Sequence, residues 1–421
     1  MEKENIKALI AANQNFVNGI NVIGRDIAIS PEFCYVFTGI RRSGKSFLLF
    51  FHIQELLKQG HSLDEILYIN FEDDRLDGIQ LKDLDLVMQC HAEMFSRRPY
   101  VFLDEIQNIQ GWEKFARRLA DNKYKVCITG SNAKMLSGEI ASALGGRYLP
   151  RNIYPLSFRE YLDFEGIKHE GASLLRNKNK IVRCFEEYFR YGGLPEVRYA
   201  KGVEKRLWLE NLHNKIYLGD IISRYKIRNA RAVRLLIKKL AESVKTPASY
   251  SRLSNVLSSC GVKIKQSTVA EYVSYAEESC LVFHADNLAS KLAERETIKK
   301  YYFMDNGILN LFLNDPETAL LENLVAVELL RRGRNFGFYR NSSFEIDFII
   351  PEEKTAIQAC HTISNQDTLE RECSAFVKAK KHLGLENFVI ITKDTEKEIE
   401  FGGIKIKAIP AWKWLVSQIN D

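Results

Sequence analysis

The segment Gly39-Ile-Arg-Arg-Ser-Gly44-Lys45-Ser46 constrains this chain more than any other. Glycines at its first and sixth positions let backbone N–H groups curl around phosphate oxygens, and a lysine and a hydroxyl follow at once. It sits between the apolar run Phe33 to Thr38, which reads as a strand, and Lys45 to Gln59. In the latter, Phe47, Leu48, Phe51, Ile53 and Leu56 crowd as on a helix packed against a sheet, and Gly60 closes it. A turn that opens a helix aims the helix's positive end at an anion. The arrangement is a Walker A pattern, and it calls for an α/β fold with a parallel sheet. The expected ligand is ATP with Mg²⁺, held by Gly39, Arg41, Arg42, Ser43, Gly44, Lys45, Ser46 and Phe47. Lys45 neutralises the β and γ phosphates and the Ser46 hydroxyl ligates the metal. The plain alternative is a glycine-rich turn.

A second element argues against that alternative. Tyr100-Val-Phe-Leu-Asp104-Glu105 is an apolar strand ending in two acids, 59 residues after Lys45, with room for one strand and one helix between. This fits a Walker B strand: Asp104 belongs to the Mg²⁺ shell, and Glu105 polarises the attacking water. A glutamate beside the aspartate favours a hydrolase over a kinase. Lys125 to Thr129 reads as a further strand running into Gly130-Ser131-Asn132, so Ser131 or Asn132 is a candidate γ-phosphate sensor, and a simple turn is the other reading. Asn70, near the end of the strand Ile66 to Phe71, could hydrogen-bond Glu105 in an idle state. Arg147, in Ala143-Leu-Gly-Gly-Arg147, is either an arginine finger reaching an adjacent subunit's nucleotide, which implies a homo-oligomer, or one half of a surface salt bridge.

Composition limits the class. Hydrophobic residues are 46% and charged residues 27% of 421, the balance of a globular chain with two or three domains. No run of about 18 uncharged apolar residues occurs, and Met1 to Lys7 is charged rather than leader-like, so a cytoplasmic protein with no membrane partner is expected. Eight scattered cysteines without a CxxC read as buried free thiols. The net charge of +6 conceals a bias: residues 201–300 hold 19 Lys and Arg against 10 Asp and Glu. A basic middle suits DNA, although a lysine-rich helical face would look the same.

From Ile181 to Ser290 the pattern is helical, with segments Lys205 to Leu218, Arg231 to Ser243, Tyr250 to Cys260 and Thr268 to Ser279. Thr268 and Glu271 form a capping box at the start of the last. With strand-like Leu281 to His284 and Lys300 to Met304, the region reads as a winged helix-turn-helix. Thr268 to Ser279 is then the recognition helix, with Val269, Val273 and Ala276 packed inward and Lys263, Lys265, Ser267 and Tyr275 offered to DNA; Lys238 and Lys239 could touch phosphates. After Asp305 an α/β pattern resumes: helix Ala319 to Arg332, strands Phe336 to Tyr339, Phe344 to Ile350 and Thr355 to Cys360, helix Leu369 to Leu383 and strand Phe388 to Thr392.

These segments together resemble a large group of prokaryotic AAA-superfamily ATPases that carry a C-terminal domain of unknown function with a PD-(D/E)xK nuclease-like core. The resemblance rests on Thr38 to Ser46, Phe71-Glu72-Asp73, Phe102 to Gln107, Ile128 to Ser131, Leu144 to Arg147, Pro155 to Tyr161 and Tyr191 to Pro195. It implies an AAA-type ATPase domain over 1–165, a helical and winged-helix region over 166–304 and a nuclease-like α/β domain over 305–421. The ATP site carries over onto Lys45, Ser46, Asp104 and Glu105. The nuclease site does not: Glu322, Glu345 and Asp347 are present, but the Glu-x-Lys position reads Gln358-Ala-Cys360. Gln lacks the charge a hard cation needs, and Cys cannot replace a lysine beside a scissile phosphate, so an inactive nuclease fold is expected. The leading reading is an ATP-hydrolysing switch that acts on or with DNA. The alternatives are an ATP-dependent DNA nuclease and a nucleotide-dependent protein scaffold.

Overall fold

The computed structural model describes residues 2–136 and 138–417. They divide into two compact units, Met1–Ile153 with Glu278–Cys280, and Tyr154–Glu277 with Leu281–Asp421.

The first unit is built on five parallel strands: β1 (Cys34–Thr38), β2 (Ile66–Asn70), β3 (Tyr100–Asp104), β4 (Val126–Gly130) and β5 (Tyr148–Asn152). Their order is β2-β3-β4-β1-β5. Helices α1 (Lys3–Gly19), α2 (Lys45–Lys58), α3 (Leu84–Met94), α4 (Trp112–Asp121) and α5 (Gly138–Ala143) accompany them. The inner strands are apolar throughout because both faces are covered. Tyr35, Phe37, Tyr68 and Phe102 pack toward Leu48, Leu49, Ile53 and Leu56 of α2. The alternating residues Val36, Leu67, Ile69, Val101, Leu103 and Ile128 pack toward α1, α3 and α4. Since β4 lies between β1 and β3, the strand ends carrying Thr38, Gly130 and Asp104 stand side by side at one edge of the sheet.

The second unit opens with helices α6 (Phe158–Phe164), α7 (Ala172–Arg176), α8 (Lys178–Tyr191) and α9 (Val203–Lys215), the last continuing as a π-helix over Ile216–Ser223. Two of the motifs that carried the resemblance are structural here. Ser157 caps α6, its hydroxyl accepting from the Glu160 N–H at 3.1 Å while Glu160 accepts from the Ser157 N–H at 2.8 Å. Gly192, at φ 77°, is pressed against the Asp305 carboxylate, where a Cβ would fall 2.0 Å from Oδ1. Asp305 accepts from the N–H groups of Gly193 and Gly307, each at 2.8 Å.

Next come α10 (Ala230–Glu242), β6 (Ala248–Ser249), α11 (Tyr250–Ser259), α12 (Gln266–Glu278), β7 (Val282–Asp286), α13 (Leu292–Arg295) and β8 (Ile298–Phe303), the strands forming an antiparallel sheet in the order β6-β8-β7. Helix α12 begins two residues before the expected Thr268. Thr268 therefore lies inside the first turn and is not the cap, and the Val269 N–H already reaches the Lys265 carbonyl at 3.1 Å. Helices α14 (Asn306–Asn310) and α15 (Glu317–Arg331) lead into six strands, β9 (Gly337–Arg340), β10 (Glu345–Ile350), β11 (Thr355–Ala359), β12 (Asn387–Thr392), β13 (Lys397–Phe401) and β14 (Ile404–Pro410), with α16 (Gln366–Leu383) after β11 and α17 (Ala411–Val416) at the end. This sheet is mixed, in the order β13-β14-β12-β11-β10-β9. Its core gathers Ile346, Ile349, Phe376, Ile390 and Ile406.

All eight cysteines are free. Cys260 is exposed, against the expectation of burial, because it ends α11 at a turn. No described helix is long and apolar enough to cross a membrane.

Candidate functional site

The turn after β1 takes its shape from backbone that few residues tolerate. A Cβ at Gly39 would lie 2.0 Å from the Ile153 carbonyl oxygen, and Gly44, which opens α2, has φ 95°. Arg42 also lies in the left-handed region, at φ 67°, a strained position for a side-chain-bearing residue. Lys45 is buried, and its ammonium donates to the carbonyls of Gly39 at 3.1 Å and Ile40 at 3.2 Å. The same nitrogen is 3.7 Å from Glu105 Oε1.

Asp104 and Glu105 are held by Ser46 and Ser131 and by three neighbours with no role assigned from sequence, Thr129, Tyr68 and Gln107. The Thr129 hydroxyl donates to Asp104 Oδ1 and accepts from the Glu105 N–H at 3.0 Å. The Tyr68 hydroxyl donates to Asp104 Oδ2 at 2.8 Å, and Ser46 hydrogen-bonds the same carboxylate. Gln107 donates to Glu105 Oε2 and reaches Ser131 Oγ at 3.5 Å. Glu105 itself has φ 54°.

Electrostatics separate the two acids. Burial, with the charge of Glu105 beside it, raises the Asp104 carboxyl above its ordinary value, against hydrogen bonds from Thr129, Ser46 and Tyr68. Burial also pushes Glu105 upward, but Lys45, Gln107, Arg41 and Ser131 outweigh it and the net direction is down. Glu105 is thereby kept ionised next to a fixed ammonium. The residues suit a magnesium triphosphate: hard oxygen donors at Ser46 and Asp104, a cation at Lys45, the N-terminus of α2 and, within the loop, a buried Ser43 hydroxyl that has no hydrogen-bond partner.

A family model described as an AAA domain matches residues 32–162, and two described as domains of unknown function, DUF8612 and DUF4143, match 182–319 and 317–414. The uncharacterized protein MJ1544 of Methanocaldococcus jannaschii is 32% identical over 96% of this chain and 94% of its own length. The chain belongs to the same AAA-superfamily protein family as MJ1544. An uncharacterized Haemophilus influenzae protein is 31% identical over 90% of this chain and 94% of its own length. Among solved structures, the Walker-type ATPase PABY2304 of Pyrococcus abyssi is 16% identical, with a TM-score of 0.40, over 73% of this chain and 94% of that one.

The AAA domain gathers most of the expected nucleotide residues. Of the two sensor candidates, Ser131 is buried against Glu105, whereas the Asn132 side chain accepts from the Lys134 N–H at 2.8 Å and caps a turn. Asn70 likewise caps the turn at Glu72, at 2.9 Å; Gln107 takes the place expected for it beside Glu105. Arg41 pairs with Glu72 at 2.8 Å, Arg42 is exposed, and Phe47 is exposed on α2. Arg147 pairs with Asp121 and precedes β5, whose first residue lies opposite Cys34. That is the sheet edge away from the loop, roughly 13 Å along the strands from Thr38. Arg147 therefore lies far from the nucleotide loop of its own domain.

In the second unit Lys263 and Lys265 are exposed in the turn before α12, and Gln266, Ser267 and Glu271 are exposed on that helix, while Val269, Val273 and Ala276 are buried. Tyr275 is engaged elsewhere: its ring stacks on Tyr225, 3.8 Å between centroids and 8° between planes. Lys238 is exposed and Lys239 pairs with Glu242 at 3.3 Å. Glu322, Glu345, Asp347 and Gln358 do converge. The three carboxylates surround Lys300, which has no role assigned from sequence, and Gln358 accepts from the Asp347 N–H.

Proposed function

We propose that the protein is an ATP-hydrolysing switch in which the AAA domain binds and cleaves ATP and the second unit passes its nucleotide state to DNA. The observation that carries the enzymatic part is the arrangement around Glu105. This ionised carboxylate is oriented by Gln107 and the Thr129–backbone contact and sits 3.7 Å from the loop lysine. Such a group can take a proton from water while Lys45 draws charge toward the terminal phosphate. Ser46 and Asp104 would hold Mg²⁺, which neutralises phosphate charge when bound. Ser131, touching both Glu105 and Gln107, would report the presence of the γ phosphate.

The test separates binding from turnover. Glu105→Gln should bind ATP like the parent and lose turnover by about 10²-fold or more. Lys45→Ala should lose photocrosslinking to an ATP analogue. Undiminished hydrolysis by Glu105→Gln removes Glu105 from its role, and unaltered labelling of Lys45→Ala removes the site.

DNA is supported by the basic character of residues 201–300, by Lys263 and Lys265 exposed in the turn before α12, and by Ser267 exposed in the first turn of that helix, which precedes an antiparallel hairpin; these are the elements of a winged helix. The tripartite division at 165 and 304 and the trans role of Arg147 belong to this same reading.

A further inference from the structure

A nuclease-like C-terminal core calls for a divalent cation between Glu322 on α15 and Glu345 and Asp347 on β10. The residues present do not fit one. Among the described residues no three His, Cys, Asp or Glu side chains are grouped so that they could hold a metal ion. The point on which these carboxylates converge is taken. Lys300, on β8, places its ammonium 3.0 Å from Glu322 Oε1, 3.1 Å from Glu345 Oε1 and 3.4 Å from Asp347 Oδ1. These are ion-pair lengths, well beyond the 2.0–2.6 Å or so of Mg²⁺ and Ca²⁺ to oxygen.

The lysine is built in rather than draped over the site. Its side chain has 0% exposure, whereas Glu345 and Asp347 retain 32% and 19% and line a cleft of about 770 Å³. The Phe338 ring lies 5.4 Å from the ammonium. Tyr302, two residues along the same strand, donates to Glu322 Oε1 at 3.0 Å. The fourth position is also committed: Gln358 accepts from the Asp347 N–H at 2.8 Å and donates to the Glu345 carbonyl at 3.1 Å, so its amide fastens β11 to β10. The second Asp347 oxygen accepts from the Ala359 N–H at 3.0 Å.

We propose that the Lys300 ammonium is the permanent cation of this centre, standing where a divalent metal ion would sit, so that the centre excludes metal and instead latches β8 to α15 and β10. The latch ties the hairpin that follows α12 to the C-terminal sheet through one nitrogen.

Mn²⁺ binding to the full chain without nucleotide, followed by electron paramagnetic resonance, tests this. The parent and Asp347→Asn should bind Mn²⁺ identically. Lys300→Met should gain one further Mn²⁺ per chain, and Lys300→Met with Asp347→Asn should lose it again. Melting gives a second readout: Mn²⁺ should raise the Tm of Lys300→Met and leave that of Asp347→Asn with Lys300→Met unmoved. An Asp347-dependent Mn²⁺ site in the parent overturns the proposal. So does a folded Lys300→Met that gains none. If Lys300→Met does not fold, the comparison of parent with Asp347→Asn still decides whether the native centre takes metal.

Discussion

Thr129 shows how much of the nucleotide site depends on one hydroxyl. Its oxygen donates to Asp104 and accepts from the Glu105 N–H, so it fixes both acids at once, one of them in the left-handed region at φ 54°. Asp104 and Glu105 are buried, and Thr129→Val would leave the Glu105 N–H without the hydroxyl it donates to and take from Asp104 one of its hydrogen bonds, those of Tyr68 and Ser46 remaining. The expected cost is about 1–3 kcal/mol of stability, since an unpaired buried group forfeits its desolvation energy. ATP turnover should fall about tenfold or more as Glu105 loses its orientation, with ATP binding retained. Thr129→Ser keeps the hydroxyl and should behave like the parent. Urea unfolding and steady-state hydrolysis of the two variants check this; a Thr129→Val protein with parental turnover would show that Gln107 and Lys45 suffice.

At the scale of elements, α2 carries a charge question in its interior. His52 is buried on this helix, 5.8 Å from the Phe102 ring of β3, and burial pushes it down to about 4, with Glu55 opposing weakly. The folded helix therefore keeps a neutral imidazole while the unfolded chain takes a proton below about pH 6.5. The unfolded state then binds more protons, so stability is fully present above that pH, falls as pH drops toward 4 and is level below it. The loss is up to about 3 kcal/mol for this residue. Urea midpoints of the AAA domain between about pH 7 and 4 should fall less steeply for His52→Phe, and equal slopes in variant and parent would exclude His52 as the source. The elements differ in how far the sequence betrayed them. The loop and its two strands were legible because their defining atoms are backbone or near neighbours, and because a sheet covered on both faces writes continuous apolar runs. β5 was not, since it is an edge strand whose four last residues are exposed. Thr129 and Tyr68 act on Asp104 from 25 and 36 residues away, and Lys300 meets Asp347 across 47. Within Ile298–Phe303 Lys300 reads as an ordinary solvated lysine, and only the packing of β8 makes it a counter-ion.

For the molecule as a whole, the uneven charge makes a prediction that pairs DNA binding with the absence of DNA cleavage. Residues 201–300 sum to +9 by sequence, and Lys263 and Lys265 stand exposed within them. If they meet phosphates, each releases counterions, and the slope of log affinity against log salt should shrink by about 1 per lysine removed. Anisotropy titrations of labelled duplex, single-stranded and branched DNA from about 50 to 200 mM salt should then show Lys263→Glu with Lys265→Glu weakening all three alike and flattening the slope by about 2. The same DNA, recovered after incubation with Mg²⁺ or Mn²⁺, should be intact, because a lysine fills the place where metal-activated water would form and Gln358 and Cys360 stand where the Glu-x-Lys position would supply a carboxylate and a cation. Salt-insensitive binding would sever the basic segment from DNA. Metal-dependent cutting that Asp347→Ala abolishes would mean that Lys300 yields its place, and the second unit would then be a nuclease driven by the first.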